Sequence, residues 1–192
     1  MKLHKPIFTL LLLTLSCSAQ EIFHDCPMTG DAKSDRVAVA DSLKNRYVEP
    51  TNITPITLDT MLKSTENNLD QNQGVSVEGY VVLVKDGSLE TCNCHSKIYK
   101  DIHIELVMDS TDTDKSDGVI VEVTPRFKDK HPDWTTALLK KLILGHKVRI
   151  TGFLFYDKEH ENASKNTRSN GKHDWRGTCW EIHPITNIEV IN

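Results

Sequence analysis

The chain lacks any apolar run long enough to cross a bilayer. Its longest, from Pro6 to Leu15, reaches about half of the roughly 20 residues that a spanning helix requires. Positive charge is also in short supply: 23 Lys and Arg stand against 27 Asp and Glu, a net charge of −4. Non-specific nucleic-acid binding depends on phosphate neutralisation by Lys and Arg. The balance therefore speaks against such binding, while leaving room for a local basic groove. A C-x-x-C pair is absent, which removes the usual thiol-redox spacing. No internal repeat occurs, which sets repeat architectures aside.

The first residues do carry a signal. Lys2, His4 and Lys5 make a positive start, the apolar run follows, and Ser16-Cys17-Ser18-Ala19 supplies small residues before the polar Gln20-Glu21. This three-part order is that of a secretory signal peptide over residues 1–19. It predicts an exported chain, periplasmic or secreted, with no membrane span. Ala19 suits an ordinary cleavage site. Lipoprotein anchoring through Cys17 is the other route, although Thr14-Leu15-Ser16 matches the usual preceding pattern poorly. Cleavage after Ala19 removes two lysines and no acid, which takes the net charge to −6. The remaining length, about 170 residues, suits one domain with an N-terminal extension.

Without Cys17, the cysteines are Cys26, Cys92, Cys94 and Cys179. An even number in an oxidising compartment points to two disulfides, with three pairings open. A Cys92–Cys94 bond would close a small strained ring, so the expectation is that Cys26 and Cys179 each reach one member of that pair. Free thiols are the alternative. A metal site of Cys92, Cys94 and His95 with Cys179 is off pattern, because structural zinc sites space paired cysteines by two or more residues.

Residues 20–73 read as a polar extension with short helices over Arg36–Leu43 and from Thr57, which would cap the second. From residue 74 to 192 the pattern sharpens. Val75–Val84 is strand-like, with Gly79 as a bulge or bend. Asp101–Val107 alternates polar and apolar, as a half-buried strand does. Gly118–Thr124 is a third strand, ended by Pro125. A helix is predicted from Pro132 to Gly145, with Trp134, Leu138 and Leu142 on one apolar face. His146–Phe155 and Trp180–Ile191 are the fourth and fifth strands, separated by a polar loop over Asp157–Asp174. The order β-β-β-α-β-β is that of an OB-fold-like five-stranded barrel. An open sandwich with an inserted helix is the rival.

Alternation also sorts the chemistry. If Ile102, Ile104 and Leu106 face inward, then Asp101, His103 and Glu105 share the outer face. Trp180 and Ile182 likewise oppose Cys179, Glu181 and His183. Together with Asp157 and His160 these side chains could converge. His103, His160 and His183 would be the ligands of a divalent metal such as zinc, with Asp157 or Glu181 activating water. The bland alternative is structural histidines and ordinary loop residues. Arg126, Lys128 and Lys130 with Trp134, Tyr156 and Trp175 could form a basic-aromatic platform for a base or a sugar, the alternative being a solvated charge run beside core aromatics. Asp101, Glu105, Arg126 and Trp175 are the candidate ligand contacts.

Several segments bear a resemblance: Leu43-Lys44-Asn45-Arg46-Tyr47, Glu90-Thr91-Cys92-Asn93-Cys94-His95, Asp101-Ile102-His103-Ile104-Glu105-Leu106, Val121-Glu122-Val123-Thr124-Pro125-Arg126, Asp157-Lys158-Glu159-His160 and Trp180-Glu181-Ile182-His183-Pro184. With these the chain resembles a group of uncharacterised exported bacterial proteins. The resemblance implies export and carries no residue roles. Three functional readings follow from the residues. The first is an exported OB-like binding module for an oligonucleotide, a saccharide or a small anion. The second is a metal-dependent hydrolase of a phosphodiester or related bond. The third is an envelope interaction protein without a catalytic site.

Overall fold

The computed structural model describes residues 22–112, 114–168 and 174–191. The expected signal peptide and Cys17 lie outside the described residues, as does part of the loop before Asp174. Six strands form: β1 (Ile53–Pro55), β2 (Gly74–Asp86), β3 (Ile102–Val107), β4 (Val119–Val123), β5 (Lys147–Tyr156) and β6 (Trp180–Val190). Their order is β1-β2-β3-β4-β6-β5, and β2 pairs back onto β5. Strands β2 to β6 therefore close into a five-stranded barrel. All barrel pairings are antiparallel except the short parallel contact of β4 with β6. A five-stranded closed barrel with its helical insertion between the third and fourth barrel strands is the OB architecture.

Period-two alternation builds the core. Val75, Val77, Val81 and Val84 of β2 meet Ile102, Ile104 and Leu106 of β3 and the valines of β4 inside the barrel, with Trp180 and Ile182 of β6 completing it. The strand β2 is long because it serves two partners. Residues 80–86 pair with β3, and residues 74–80 pair with β5. The bulge in β2 falls between Val81 and Leu83 rather than at Gly79. Gly79 has another reason to lack a side chain: a Cβ there would stand 2.6 Å from Leu58 Cδ1.

The helices are α1 (Asp35–Lys44), α2 (Leu58–Lys63), α3 (Pro125–Lys130) and α4 (Thr136–Ile143). Ser34, Thr57 and Thr135 cap α1, α2 and α4 by accepting from backbone N–H groups three residues on. Of the helix expected over Pro132–Gly145 only Thr136–Ile143 forms, and a separate short helix, α3, precedes it. Pro125 does not merely end β4; it opens α3 at a position that tolerates proline. Pro132 then drives His131 out of the helical region, to φ −126° and ψ 74°, and the chain restarts at Thr136. The restart also corrects the expected apolar face. Leu139 and Ile143 enter the core, while Leu142 is exposed.

The extension over residues 22–73 is bound tightly to the barrel. Arg46 donates to the carbonyls of Leu43, Gln71, Leu154 and His183, and its guanidinium lies 4.2 Å from the Phe153 ring centroid. Asn45 donates to the Met28 and Cys92 carbonyls. A disulfide joins Cys26 to Cys94. The second expected disulfide does not form: Cys92 and Cys179 are buried thiols. Cys179 precedes β6, so strand alternation does not govern it, and it packs in the core with its thiol 3.1 Å from Ser164 Oγ.

Where β5 crosses β6 the register shifts around Gly152. A Cβ at Gly152 would sit 2.3 Å from the Pro184 carbonyl oxygen and 2.6 Å from Ile182 Cγ2. Backbone is the obstacle, so it cannot swing aside. Gly152→Ala is expected to lower the unfolding free energy by at least about 1–3 kcal/mol, read as a fall in the urea midpoint at unchanged m-value.

Candidate functional site

The outer face of the barrel is not a solvated surface. The face opposite the core carries His103 and Glu105 on β3, Glu122 on β4, Glu181 and His183 on β6, and Phe155 on β5. All are buried. Register brings them together. His103 pairs with Glu122 across β3 and β4, Val121 meets Ile182 across β4 and β6, and Phe155 pairs with Glu181 across β5 and β6. A polar band thus crosses four strands.

Within that band acids and bases alternate in one chain. His160 Nδ1 lies 2.5 Å from Asp157 Oδ2. Arg176 donates from Nη1 to Asp157 at 3.0 Å and from Nη2 to Glu181 at 2.6 Å. Nδ1 of His183 lies 3.4 Å from Glu181 and 3.3 Å from Glu122. His103 then bridges Glu122 at 2.7 Å and Glu105 at 3.1 Å. Burial in a low-dielectric interior makes any unpaired charge here costly, and the alternation is what meets that cost.

The ionisation states follow. Burial opposes charge on His103, but its bonds to Glu105 and Glu122 outweigh it and push the imidazole up to about 9. Burial opposes charge on His183 too, and Glu181, Asp101 and Glu122 raise its pKa above the ordinary value. Desolvation would lift the Asp157 carboxyl, yet His160, Lys44 and Arg176 hold it far below the usual carboxylate range. Asp101 goes the other way: burial raises it, and the His183 charge only partly offsets this. Lys44 of α1 is fixed by Glu90 at 2.8 Å, and that carboxylate keeps the ammonium charged against the cost of burial.

Above the band lies a cleft of about 890 Å³. One wall is α1, through Arg36, Val37, Ala40 and Lys44. The floor is the strand face, through His103, Glu122, Phe155 and Glu181. The far rim is Asp157, His160, Trp175 and Arg176. Trp175 is 41% exposed, with His160 edge-on at 5.2 Å between ring centroids. Carboxylates outnumber Lys and Arg along the lining, with Asp41, Glu66, Glu90 and Glu159 adding to those already named.

Of the residues singled out by sequence, the fold brings Asp157, His160, Glu181, His103 and Trp175 to this cleft. His183 and Asp101 lie beneath its floor, fully buried, and Glu105 ends the acid–base chain. The three histidines do not form one metal site. Among the described residues, the groups spaced to hold an ion are Asp101–Glu122–His183 and Glu90–Cys92–Asp101; His103 and His160 are in neither, being committed to Glu105 and Glu122 and to Asp157. Arg126 is remote from Trp175. It is buried, donates to the Cys26 carbonyl at 3.0 Å and lines a separate cavity of about 300 Å³. Sequence reasoning missed Glu122, Arg176 and Lys44. For Glu122 the signal existed: it is the lone charge in the apolar run of β4, on the outward phase. Arg176 sits in irregular chain, where no periodicity marks it.

No protein-family model matches this chain, and no curated protein matches it. Among solved structures, that of yeast Stn1 and Ten1 matches with 12% identity over 74% of this chain, at a TM-score of 0.38. The match covers 64% of that solved chain, so this protein spans less than two thirds of its length. The barrel assignment rests on strand order and closure, not on this likeness.

Two outcomes test the network. Replacing Arg176 by Met leaves Asp157 and Glu181 buried without their shared cation, and should cost about 3–5 kcal/mol in urea unfolding. His160 is raised above its ordinary value of 6.5, chiefly by its bond to Asp157. A raised histidine stabilises fully below its unfolded value, and that contribution is lost as pH rises through the folded value. Wild-type stability relative to His160→Gln should therefore be greatest below the ordinary value of 6.5 and shrink as pH rises above it, measured as the difference in urea midpoints.

Proposed function

We propose that the chain is an exported OB-type binding module whose ligand occupies the cleft between α1 and the barrel face, and that this ligand is a saccharide. The carrying observation is the lining itself: a partly exposed Trp175 beside carboxylates that outnumber the cleft's Lys and Arg. Carboxylates accept hydrogen bonds from hydroxyl groups, and aromatic faces pack against the apolar side of a sugar ring. With His103 and His160 raised, the lining is near charge balance, so a phosphate backbone finds no net positive field here, which weighs against an oligonucleotide or a small anion. Support for export comes from the Cys26–Cys94 bond, since disulfides persist in oxidising compartments, and from the N-terminal pattern.

The hydrolase reading is disfavoured by the same geometry. A general base needs an available carboxylate at a pKa near the working pH, whereas Arg176 holds both Asp157 and Glu181.

Intrinsic fluorescence offers the test, because Trp175 is partly exposed in the cleft while Trp180 is fully buried and Trp134 packs against the core outside the cleft lining. Titration with a panel of neutral and amino-substituted oligosaccharides should give a saturable change for at least one class. Trp175→Ala should weaken that binding by about tenfold, the loss of one aromatic contact. Tight, steeply salt-dependent binding of single-stranded oligonucleotides, with no response to any sugar, would overturn the proposal.

A further inference from the structure

Beneath the cleft floor, the acid–base chain leaves one corner unresolved. Nε2 of His183 is fully buried and has no hydrogen-bond partner, and Oδ1 of Asp101 is in the same state. The pair they belong to is not a hydrogen bond: His183 Nε2 stands 3.8 Å from Asp101 Oδ2. Buried polar atoms are rarely left unmatched, and an orphaned donor or acceptor costs about 1–3 kcal/mol. Among the described residues, neither Asp101 nor Glu122 has a Lys or Arg within ion-pair distance.

Ligand atoms of Asp101, Glu122 and His183 all lie within 4.8 Å of one another. Two donors that share an ion, each about 2.1 Å from it, stand roughly 3–4 Å apart. The 3.8 Å separation is thus too long for a hydrogen bond and suits a shared cation. Two carboxylates with one imidazole form a mixed oxygen–nitrogen set, which first-row divalent ions such as zinc or manganese accept. Each residue comes from a different part of the barrel, β6 and β4 contributing His183 and Glu122 and the lead-in to β3 contributing Asp101. All three are buried, at 0%, 5% and 1% exposure, so burial closes the site to substrate.

We propose that Asp101, Glu122 and His183 bind one divalent first-row metal ion that pins β3, β4 and β6 together under the cleft. The ion adds positive charge beside two buried carboxylates whose other neighbours are imidazoles, and it gives His183 Nε2 its partner. A neighbouring arrangement, Glu90–Cys92–Asp101, shares Asp101 but would bring a thiolate into the coordination. The unpartnered imidazole nitrogen favours the thiolate-free set. The inference is independent of what occupies the cleft.

The test uses untagged mature protein from cells grown in medium supplemented with zinc and manganese, purified without chelators. Elemental analysis should find about one equivalent of ion per chain, and it should survive gel filtration in EDTA because the site is sealed. Asp101→Asn and Glu122→Gln keep side-chain shape and should each reduce the bound metal at least tenfold while the far-ultraviolet circular dichroism is kept. X-ray absorption on loaded wild type stands even if both variants misfold. It should show a shell of oxygen and nitrogen with an imidazole and no sulfur. Folded wild type without metal, full retention of metal in both folded variants, or sulfur in the shell would each overturn the assignment.

Discussion

Arg176 is buried outright, and its guanidinium spends Nη1 on Asp157, Nη2 on Glu181 and Nε on the Thr178 carbonyl. A planar fork suits this task better than an ammonium, because it can satisfy two carboxylates in fixed directions. The rest of the outer face builds on that arrangement. With one oxygen of Glu181 committed to Arg176, the other faces His183, which in turn reaches Glu122, and Glu122 reaches His103. Carboxylates and imidazoles each have two polar atoms, so the pattern can propagate sideways across strands without leaving most members unmet. A β-barrel normally keeps charge out of such positions. Here the charges are admitted as an ordered series, at an energetic cost that hydrophobic residues of the same volume would not incur.

How much of this was legible in the sequence depends on where regular periodicity holds. The five barrel strands and their order could be read because Ile102, Ile104 and Leu106, or Trp180 and Ile182, alternate with polar residues. The same rule put His103, Glu105, Glu181 and His183 on one face, which the fold bears out. It applied equally to Glu122, whose single charge in an apolar strand went unused. Failures came where periodicity stops. Cys179 lies one residue before β6 and follows its loop inward instead of the strand's phase. The helix phase was misread because Pro132 breaks the chain and moves the start to Thr136, turning Leu139 and Ile143 inward. Arg176 had no pattern to reveal it, since its position is fixed by long-range contacts.

The N-terminal extension changes what the barrel face is. Left uncovered, the acid–base chain would be a wet surface with screened, weak pairs. With α1 laid over it and Arg46 and Asn45 fastening the segment to backbone carbonyls, the same side chains become a partly enclosed cleft. Its lining belongs to neither part alone: α1 supplies Arg36 and Lys44, the strands supply Phe155 and Glu181, and the loops supply Trp175 and Arg176. The Cys26–Cys94 bond fixes the beginning of the extension to the loop before β3, at a sequence separation of 68.

The small strand β1 lies away from the cleft and covers an edge of the barrel. The strand β3 pairs only with the second half of β2, and β1 takes up the stretch Gly74–Ser76 on the same edge. Without it, three residues of unpaired backbone would border an otherwise closed barrel, a template on which another molecule could add a strand. β1 is three residues long and ends in Pro55, which has no N–H to offer an incoming chain. The extension thereby covers Gly74–Ser76 on the edge of β2 that β3 does not reach, and shortens the backbone on which a second chain could build.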